Sequence, residues 1–145
     1  MDQAVTRRVQ RLLELPGLME PLVKQRTALR AERRSTEAKL KRRVAEVRRL
    51  VLEDDAYRAA ENQTERDIIL EAAVVEDDDC ARLAARLDQL TTSIEKVQGE
   101  LELLDHERKA LKAALEREFA AVIEKALTDR VLADVATSGR LRGVA

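Results

Sequence analysis

Large apolar residues recur at alternating intervals of four and three between Leu83 and Leu115. A mean period of 3.5 residues holds one side of an α-helix against a neighbouring helix, which is the pattern of a coiled coil. The pattern is interrupted once, at Arg108, and apolar residues continue beyond Leu115. The predicted seam, meaning the residues expected to contact a neighbouring helix, consists of Leu83, Leu87, Leu90, Ile94, Val97, Leu101, Leu104, Leu111, Leu115, Phe119, Leu127 and Val131.

The composition favours helices over sheets. Charged residues make up 38% of the chain and aromatic residues 1%, so bulky rings cannot build a globular core. The 145 residues include only four glycines and two prolines, and no segment alternates apolar and polar residues as strands do. We predict an all-α fold, namely an antiparallel helical hairpin or coiled coil of two long helices with short accessory helices and no sheet.

The chain is predicted to form one elongated helical domain over residues 1–145. The first helix is expected to stop before Pro16 and Gly17, and a capping box from Asn62 to Glu65 is expected to open a later one. The predicted segments are a short helix at 3–14, a basic helix at 22–52, a short helix at 63–75, a long helix at 79–136 and a frayed tail at 140–145.

The two long helices differ in predicted length, at about 87 Å against about 46 Å. An antiparallel pairing therefore leaves the distal part of the longer helix, from about Leu111 onward, to be covered by the short first helix or by a second copy of the chain. Because soluble monomers rarely expose large apolar patches, we predict a homodimer. Arg108 either pairs with a carboxylate on the facing helix and fixes its register, or extends outward where that helix ends.

Charge is distributed unevenly along the chain. Residues 1–52 contain 14 Lys and Arg against 6 Asp and Glu, whereas the remainder contains 13 against 22. Either the basic helix lies along an acidic one, or it faces a polyanion such as double-stranded DNA. With so few aromatic rings to stack on bases, DNA would be bound through its backbone. The candidate nucleic-acid-binding residues are Arg33, Arg34, Lys39, Lys41, Arg42, Arg43, Arg48 and Arg49.

The chain lacks the residue sets of common catalytic and metal sites. His106 is the only histidine and Cys80 the only cysteine, and the glycines form no phosphate-binding loop. The carboxylates from Glu76 to Asp79 are better explained as the start of a helix than as a calcium loop. We therefore expect no enzymatic activity, cofactor or small-molecule substrate. Without an apolar run long enough for a signal peptide or a membrane span, we expect a cytoplasmic protein that does not enter the membrane.

From about Tyr57 to Phe119, the sequence resembles a loose group of small helical proteins encoded by phages and prophages. Asn62 and Arg66 match an Asn-x-x-x-Arg motif that opens a short helix in that group, and an acidic turn and a long Leu-rich helix follow. The resemblance implies an accessory role near phage DNA replication or recombination, with no established activity to transfer.

These observations leave two main functional classes open. The first is a coiled-coil accessory factor that acts through a protein partner or through the backbone of duplex DNA. The second is a structural or chaperone-like rod without a nucleic-acid role, similar to prefoldin-type proteins in its two long helices. A third and weaker alternative is an acidic tip, formed by residues 53–55 and 76–79, that enters a channel of another protein.

Overall fold

The computed structural model describes the backbone of residues 2–144 and the side chains of residues 2–138. Its helices, in chain order, are α1 (Gln3–Leu52), α2 (Asp55–Ala59), α3 (Gln63–Glu76) and α4 (Asp78–Val144). No strand occurs in residues 2–144, and the two long helices α1 and α4 pack against each other. The prediction of an all-α helical hairpin with short accessory helices is therefore confirmed.

Helix α1 runs without a break through Pro16 and Pro21. The predicted stop before Pro16, and with it the separate helices at 3–14 and 22–52, is wrong. A proline inside a helix removes one backbone hydrogen bond and costs about 3 kcal/mol, which is why the sequence suggested a boundary. Packing of the surrounding residues against α4 outweighs that cost.

The apolar spacing of α1 explains how the helix tolerates its prolines. Leu12, Leu15, Met19 and Leu22 follow one another at intervals of three, four and three, so the coiled-coil period passes through this segment unchanged. Leu15 has no exposed surface at all. Full burial of a leucine contributes about 1.5–3 kcal/mol, so a few such residues offset the loss at one proline.

The junctions between the shorter helices lie close to their predicted places. The side chain of Asn62 accepts a hydrogen bond from the backbone N–H of Glu65 at 2.9 Å, as a capping box requires. The Glu65 carboxylate, however, accepts from the backbone N–H of Glu61 at 2.9 Å instead of that of Asn62. One carboxyl thus satisfies a donor just outside the helix.

Helix α4 is longer than predicted, because it continues past residue 136 to Val144. A single glycine lowers the stability of a helix by only about 1 kcal/mol, so Gly139 is a weak stop signal. The predicted frayed tail at 140–145 is therefore wrong for residues 140–144, whose backbone belongs to α4.

Contacts divide the chain into two compact units. Residues 20–101 form one unit, and residues 1–19 together with 102–145 form the other. In the first unit α1 and α4 run in opposite directions, because Arg26 donates to Gln98 whereas Arg43, farther along α1, donates to Asp77 at the beginning of α4. The buried side chains of this unit are Thr36, Val47, Cys80, Leu90, Ile94, Val97 and Leu101.

In the second unit, the beginning of α1 covers the distal part of the predicted seam. Arg11 binds Glu107 and Arg8 binds Glu118, so these two segments are also antiparallel. Leu115 is buried. From Phe119 to residue 138, every described side chain of α4 is exposed. The sequence offered two candidates to pack on the distal part of α4. The first of them, the N-terminal part of α1, does so, but only as far as Glu118.

Arg108 does not pair with the facing helix. Its guanidinium donates to the Asp105 carboxylate on its own helix at 2.8 Å, and its side chain is 47% exposed. The neighbouring Glu107 instead receives Arg11, at 2.7 Å. The prediction that Arg108 sets the register through a facing carboxylate is wrong. The alternative that it extends outward is correct, although α1 does not end there.

Candidate nucleic-acid interface

Burial varies along the predicted seam. Leu90, Ile94, Val97, Leu101 and Leu115 are buried, with at most 6% of their surface exposed. The remaining members of the hairpin are half-buried, namely Leu83, Leu87, Leu104 and Leu111. Phe119, Leu127 and Val131 are 52%, 58% and 59% exposed. The structure thus brings nine of the twelve residues into the packed hairpin and leaves the last three in solvent.

Of the eight candidate nucleic-acid-binding residues, Arg43 is the most firmly held inside the hairpin. Its Nε and Nη2 donate to the two Asp77 carboxylate oxygens at 3.0 and 2.7 Å, and its Nη1 lies 3.3 Å from Glu46. The same Asp77 carboxylate accepts from the backbone N–H of Cys80 at 2.9 Å and so caps α4. The guanidinium of Arg43 is occupied by this structural contact with Asp77 and is not free to bind a phosphate.

This geometry shifts the ionisation of both partners. Hydrogen bonds from Arg43, followed by that from the Cys80 backbone, hold the pKa of the Asp77 carboxyl well below its ordinary value. Asp77 in turn raises the pKa of the Arg43 guanidinium further above its already high value. Burial raises the pKa of the Cys80 thiol, which therefore stays protonated and is a poor nucleophile.

All three carboxylates of α1 between residues 31 and 52 have basic partners. Glu32 receives Arg86 of α4 at 2.6 Å, and Glu46 lies within ion-pair distance of Arg43. Glu37 lies 3.9 Å from Arg33, a looser pair, and the Arg33 side chain is 35% exposed. These contacts use up the acidic groups of the segment together with two of its eight candidate cations.

The other six candidate cations project into solvent. Arg34, Lys41 and Arg48 are spaced seven residues apart, as are Arg42 and Arg49, so each set forms a row along one side of α1. Within the described part of the chain, no carboxylate lies within ion-pair distance of any of the six, which are Arg34, Lys39, Lys41, Arg42, Arg48 and Arg49. Five of them lie away from buried Thr36 and Val47, on the outer side of the helix, and Lys39 lies at the edge of that side, one turn from Thr36.

A seventh cation belongs to this surface and was missed in the sequence. Arg30 is exposed and lines a shallow groove on α1 together with Thr27, Arg33 and Arg34. Its spacing of four residues from Arg34, one helical turn, was the signal that could have identified it. We call the seven exposed cations the outer basic face; they are Arg30, Arg34, Lys39, Lys41, Arg42, Arg48 and Arg49.

The acidic charge of the molecule lies beyond one end of this face. Residues 53–79 contain 11 Asp and Glu against 2 Arg, whereas residues 80–145 contain 11 of each sign. Helix α4 beyond its first residues is thus electrically balanced, although Arg8 and Arg11 of α1 do pair with Glu118 and Glu107 of α4. Two of the acidic groups in residues 53–79, Asp67 and Glu71 of α3, share a surface groove with Arg48. They weaken the positive field at that end.

The outer basic face offers charge without stacking surfaces. Tyr57 lies beneath the guanidinium of Arg66, 5.9 Å from ring centroid to Cζ, and Phe119 lies in the other unit. Among residues 2–138 no cluster of His, Cys, Asp and Glu could hold a metal ion. No helix within the described range has the length and apolarity needed to span a bilayer. The arrangement is suited to a repeating anion that needs no base contacts.

Comparison of the chain with protein-family models, with curated proteins and with solved structures gave no match in any of the three.

Proposed function

We propose that this protein is a non-enzymatic helical-hairpin interaction protein that binds the backbone of duplex DNA through the outer basic face of α1. On this proposal it serves as a cytoplasmic accessory factor in the DNA replication or recombination of a phage or mobile element. The observation that supports it best is that six predicted cations stay unpaired while every carboxylate of the same helical segment has a basic partner. A surface that existed only to pack against an acidic helix would have those cations paired.

The expected binding mode follows from the spacing of the cations. Residues seven apart on a helix are about 10.5 Å apart, so Arg34, Lys41 and Arg48 extend over roughly 21 Å. Several phosphates of a duplex fall within that length, since each strand places one about every 3.4 Å along the axis. Affinity should be independent of sequence, with a Kd of about 10⁻⁴–10⁻⁶ M at physiological salt, and should fall steeply as salt is added.

The test is a titration of fluorescently labelled duplex DNA at low and at physiological salt, read by anisotropy. Reversing two charges of the face, in Lys41→Glu with Arg42→Glu, should weaken binding at least tenfold at low salt. Arg43 is left unchanged because it holds Asp77. A matched control, Lys96→Glu with Lys112→Glu, reverses two exposed lysines of α4 and should retain most of the affinity.

Circular dichroism must show that both variants are folded. Equal weakening by the two double variants would show that only the net charge of the protein matters. Wild-type protein that fails to bind duplex DNA at low salt would overturn the proposal.

A second candidate function is a structural or chaperone-like helical hairpin with no nucleic-acid role. It is favoured by the seven large apolar residues of α4 that are 52–65% exposed between Phe119 and Val135. Such a surface could hold an unfolded apolar segment of a client. Suppression of the aggregation of a chemically unfolded client, lost in Leu127→Glu and unaffected by Lys41→Glu with Arg42→Glu, would support this function over DNA binding.

The protein is also proposed to act as a homodimer through the exposed segment of α4. Seven large apolar side chains on one helix form the kind of surface that marks an interaction site in soluble proteins. Sedimentation at micromolar concentration tests this part of the proposal by itself.

A further inference from the structure

The exposed apolar segment of α4 follows a different row from the one that packs in the hairpin. Phe119, Ile123, Leu127, Val131 and Val135 are spaced four residues apart, and all five are 52–64% exposed. A row of i+4 neighbours winds slowly around a helix, whereas the four-and-three pattern stays on one side. A helix that continued the hairpin geometry would therefore lose contact with this row within a few turns.

Rows of i+4 neighbours have a preferred partner geometry. When the i+4 rows of two helices interdigitate, the helix axes cross at about −50°, the commonest class of helix packing in globular proteins. The row is centred on Leu127, with two large apolar residues on either side of it. If two helices cross once at Leu127, all five residues can contact the partner helix. If the helices instead lay side by side along their length, the row would wind out of the contact.

We propose that α4 packs against α4 of a second copy, crossing at Leu127 with the two helices pointing the same way. This inference rests on the proposed homodimer and adds its geometry. Burying on the order of 100 Å² on each of five side chains removes roughly 1,000 Å² for the pair, the lower bound for a specific interface. A second copy also brings the same i+4 row, as symmetric packing requires.

The direction follows from two charges beside Leu127. Glu124 precedes Leu127 by three residues and Arg130 follows it by three, so they flank it on opposite sides of the helix. Both are exposed, and neither has an ion-pair partner among the described residues. In a two-fold pair of helices pointing the same way, Glu124 shares a flank with the partner's Arg130. If the helices pointed in opposite directions, each flank would hold two residues of like charge.

Disulfide trapping tests the crossing point. In a Cys80→Ser background, Leu127→Cys should form a disulfide-linked dimer on mild oxidation, since the two residues face each other across the two-fold axis. Lys125→Cys, two residues away and on the other side of the helix, is the matched control and should cross-link at least tenfold more slowly. A charge reversal tests the direction: Glu124→Arg should weaken dimerisation about fivefold, and adding Arg130→Glu should restore it.

Sedimentation of the unmodified protein separates the outcomes. A dimer with fast cross-linking only at position 127, and with affinity restored by the double charge swap, supports the proposal. A dimer in which Lys125→Cys cross-links as fast overturns the crossing at Leu127. A dimer in which Glu124→Arg has no effect overturns the shared direction of the two helices. Either result leaves the homodimer standing. A monomer up to tens of micromolar overturns both, without bearing on DNA binding.

Discussion

Arg43 of α1 and Asp77 at the start of α4 form a two-point contact, with hydrogen bonds of 2.7 and 3.0 Å between one guanidinium and one carboxylate. The same carboxylate caps the first turn of α4 through the backbone N–H of Cys80. Paired contacts between a guanidinium and a carboxylate are directional, so this one fixes how the end of α1 meets the beginning of α4. Arg43 therefore has a structural role, unlike the exposed cations of the outer basic face.

Replacing Asp77 with Asn should destabilise the fold. The amide can still accept the hydrogen bond from Cys80, but it cannot give Arg43 two acceptors or a negative charge. We expect the midpoint of thermal unfolding, followed by circular dichroism, to fall by several degrees. Asp79→Asn is the control, because Asp79 lies 3.8 Å from Arg43 and is 54% exposed, and it should change the midpoint by much less. Equal effects of the two changes would contradict the assigned role of Asp77.

Stability should decrease in acid and change little near neutral pH. The pKa of Asp77 is lowered in the folded protein by Arg43, and that of Glu107 is lowered by Arg11. Below the ordinary carboxyl values of 3.8 and 4.5, the unfolded chain therefore binds protons that the folded chain does not, which favours unfolding. The midpoint of thermal unfolding, measured from pH 7 downward, should fall below about pH 5. The fall should be shallower in Asp77→Asn, and an identical slope would count against this assignment.

Burial of Leu15 makes the first part of α1 integral to the structure. Leu15→Ala should lower the free energy of unfolding by about 2–5 kcal/mol, the usual cost of removing a fully buried leucine side chain. Leu13, which is 75% exposed, offers a matched control two residues away. Leu13→Ala should change stability by less than about 0.5 kcal/mol. Urea unfolding measures both, and similar values for the two variants would place Leu15 outside the core.

The sequence was sufficient to predict the helical hairpin, because an interval pattern of four and three requires a neighbouring helix and so few turn residues interrupt it. It was misleading at Pro16, where local propensity suggested a boundary but Leu12, Leu15 and Met19 preserve the packing period across it. The inward placement of Arg43 was missed although the spacing indicates it, because Leu40, Arg43 and Val47 follow one another at intervals of three and four, whereas Lys41 and Arg42 lie outside that row. Its contact with Asp77 was not predictable, since it depends on how the two segments meet in space.

Replacing Pro16 with Ala should stabilise the protein if α1 is continuous. Alanine restores the backbone N–H that proline lacks, and the gain should be about 1–3 kcal/mol in the free energy of urea unfolding. Gly17→Ala is a useful companion, because an added Cβ there meets nothing within 4 Å and should contribute up to about 1 kcal/mol. If the helix instead ended at this place, neither change would stabilise it, and Pro16→Ala would be neutral or harmful.

Removing the acidic groups beside Arg48 should strengthen DNA binding. Asp67 and Glu71 share a groove with Arg48, so they oppose the approach of a phosphate at that end of the outer basic face. In the double variant Asp67→Asn with Glu71→Gln, we expect affinity for duplex DNA to rise about two- to fivefold at low salt, with the gain shrinking as salt screens the charges. Asp88→Asn with Glu95→Gln removes two exposed carboxylates of α4 and controls for net charge.

Because Asp67 and Glu71 of α3 share a groove with Arg48 and not with Arg34, substitutions of these two arginines should respond differently to the loss of the acidic groups. Arg48→Ala should weaken binding more in the Asp67→Asn with Glu71→Gln background than in the wild type, whereas Arg34→Ala should weaken it equally in both. An increase of the same size in the control variant would mean that net charge, and not the outer basic face, determines affinity.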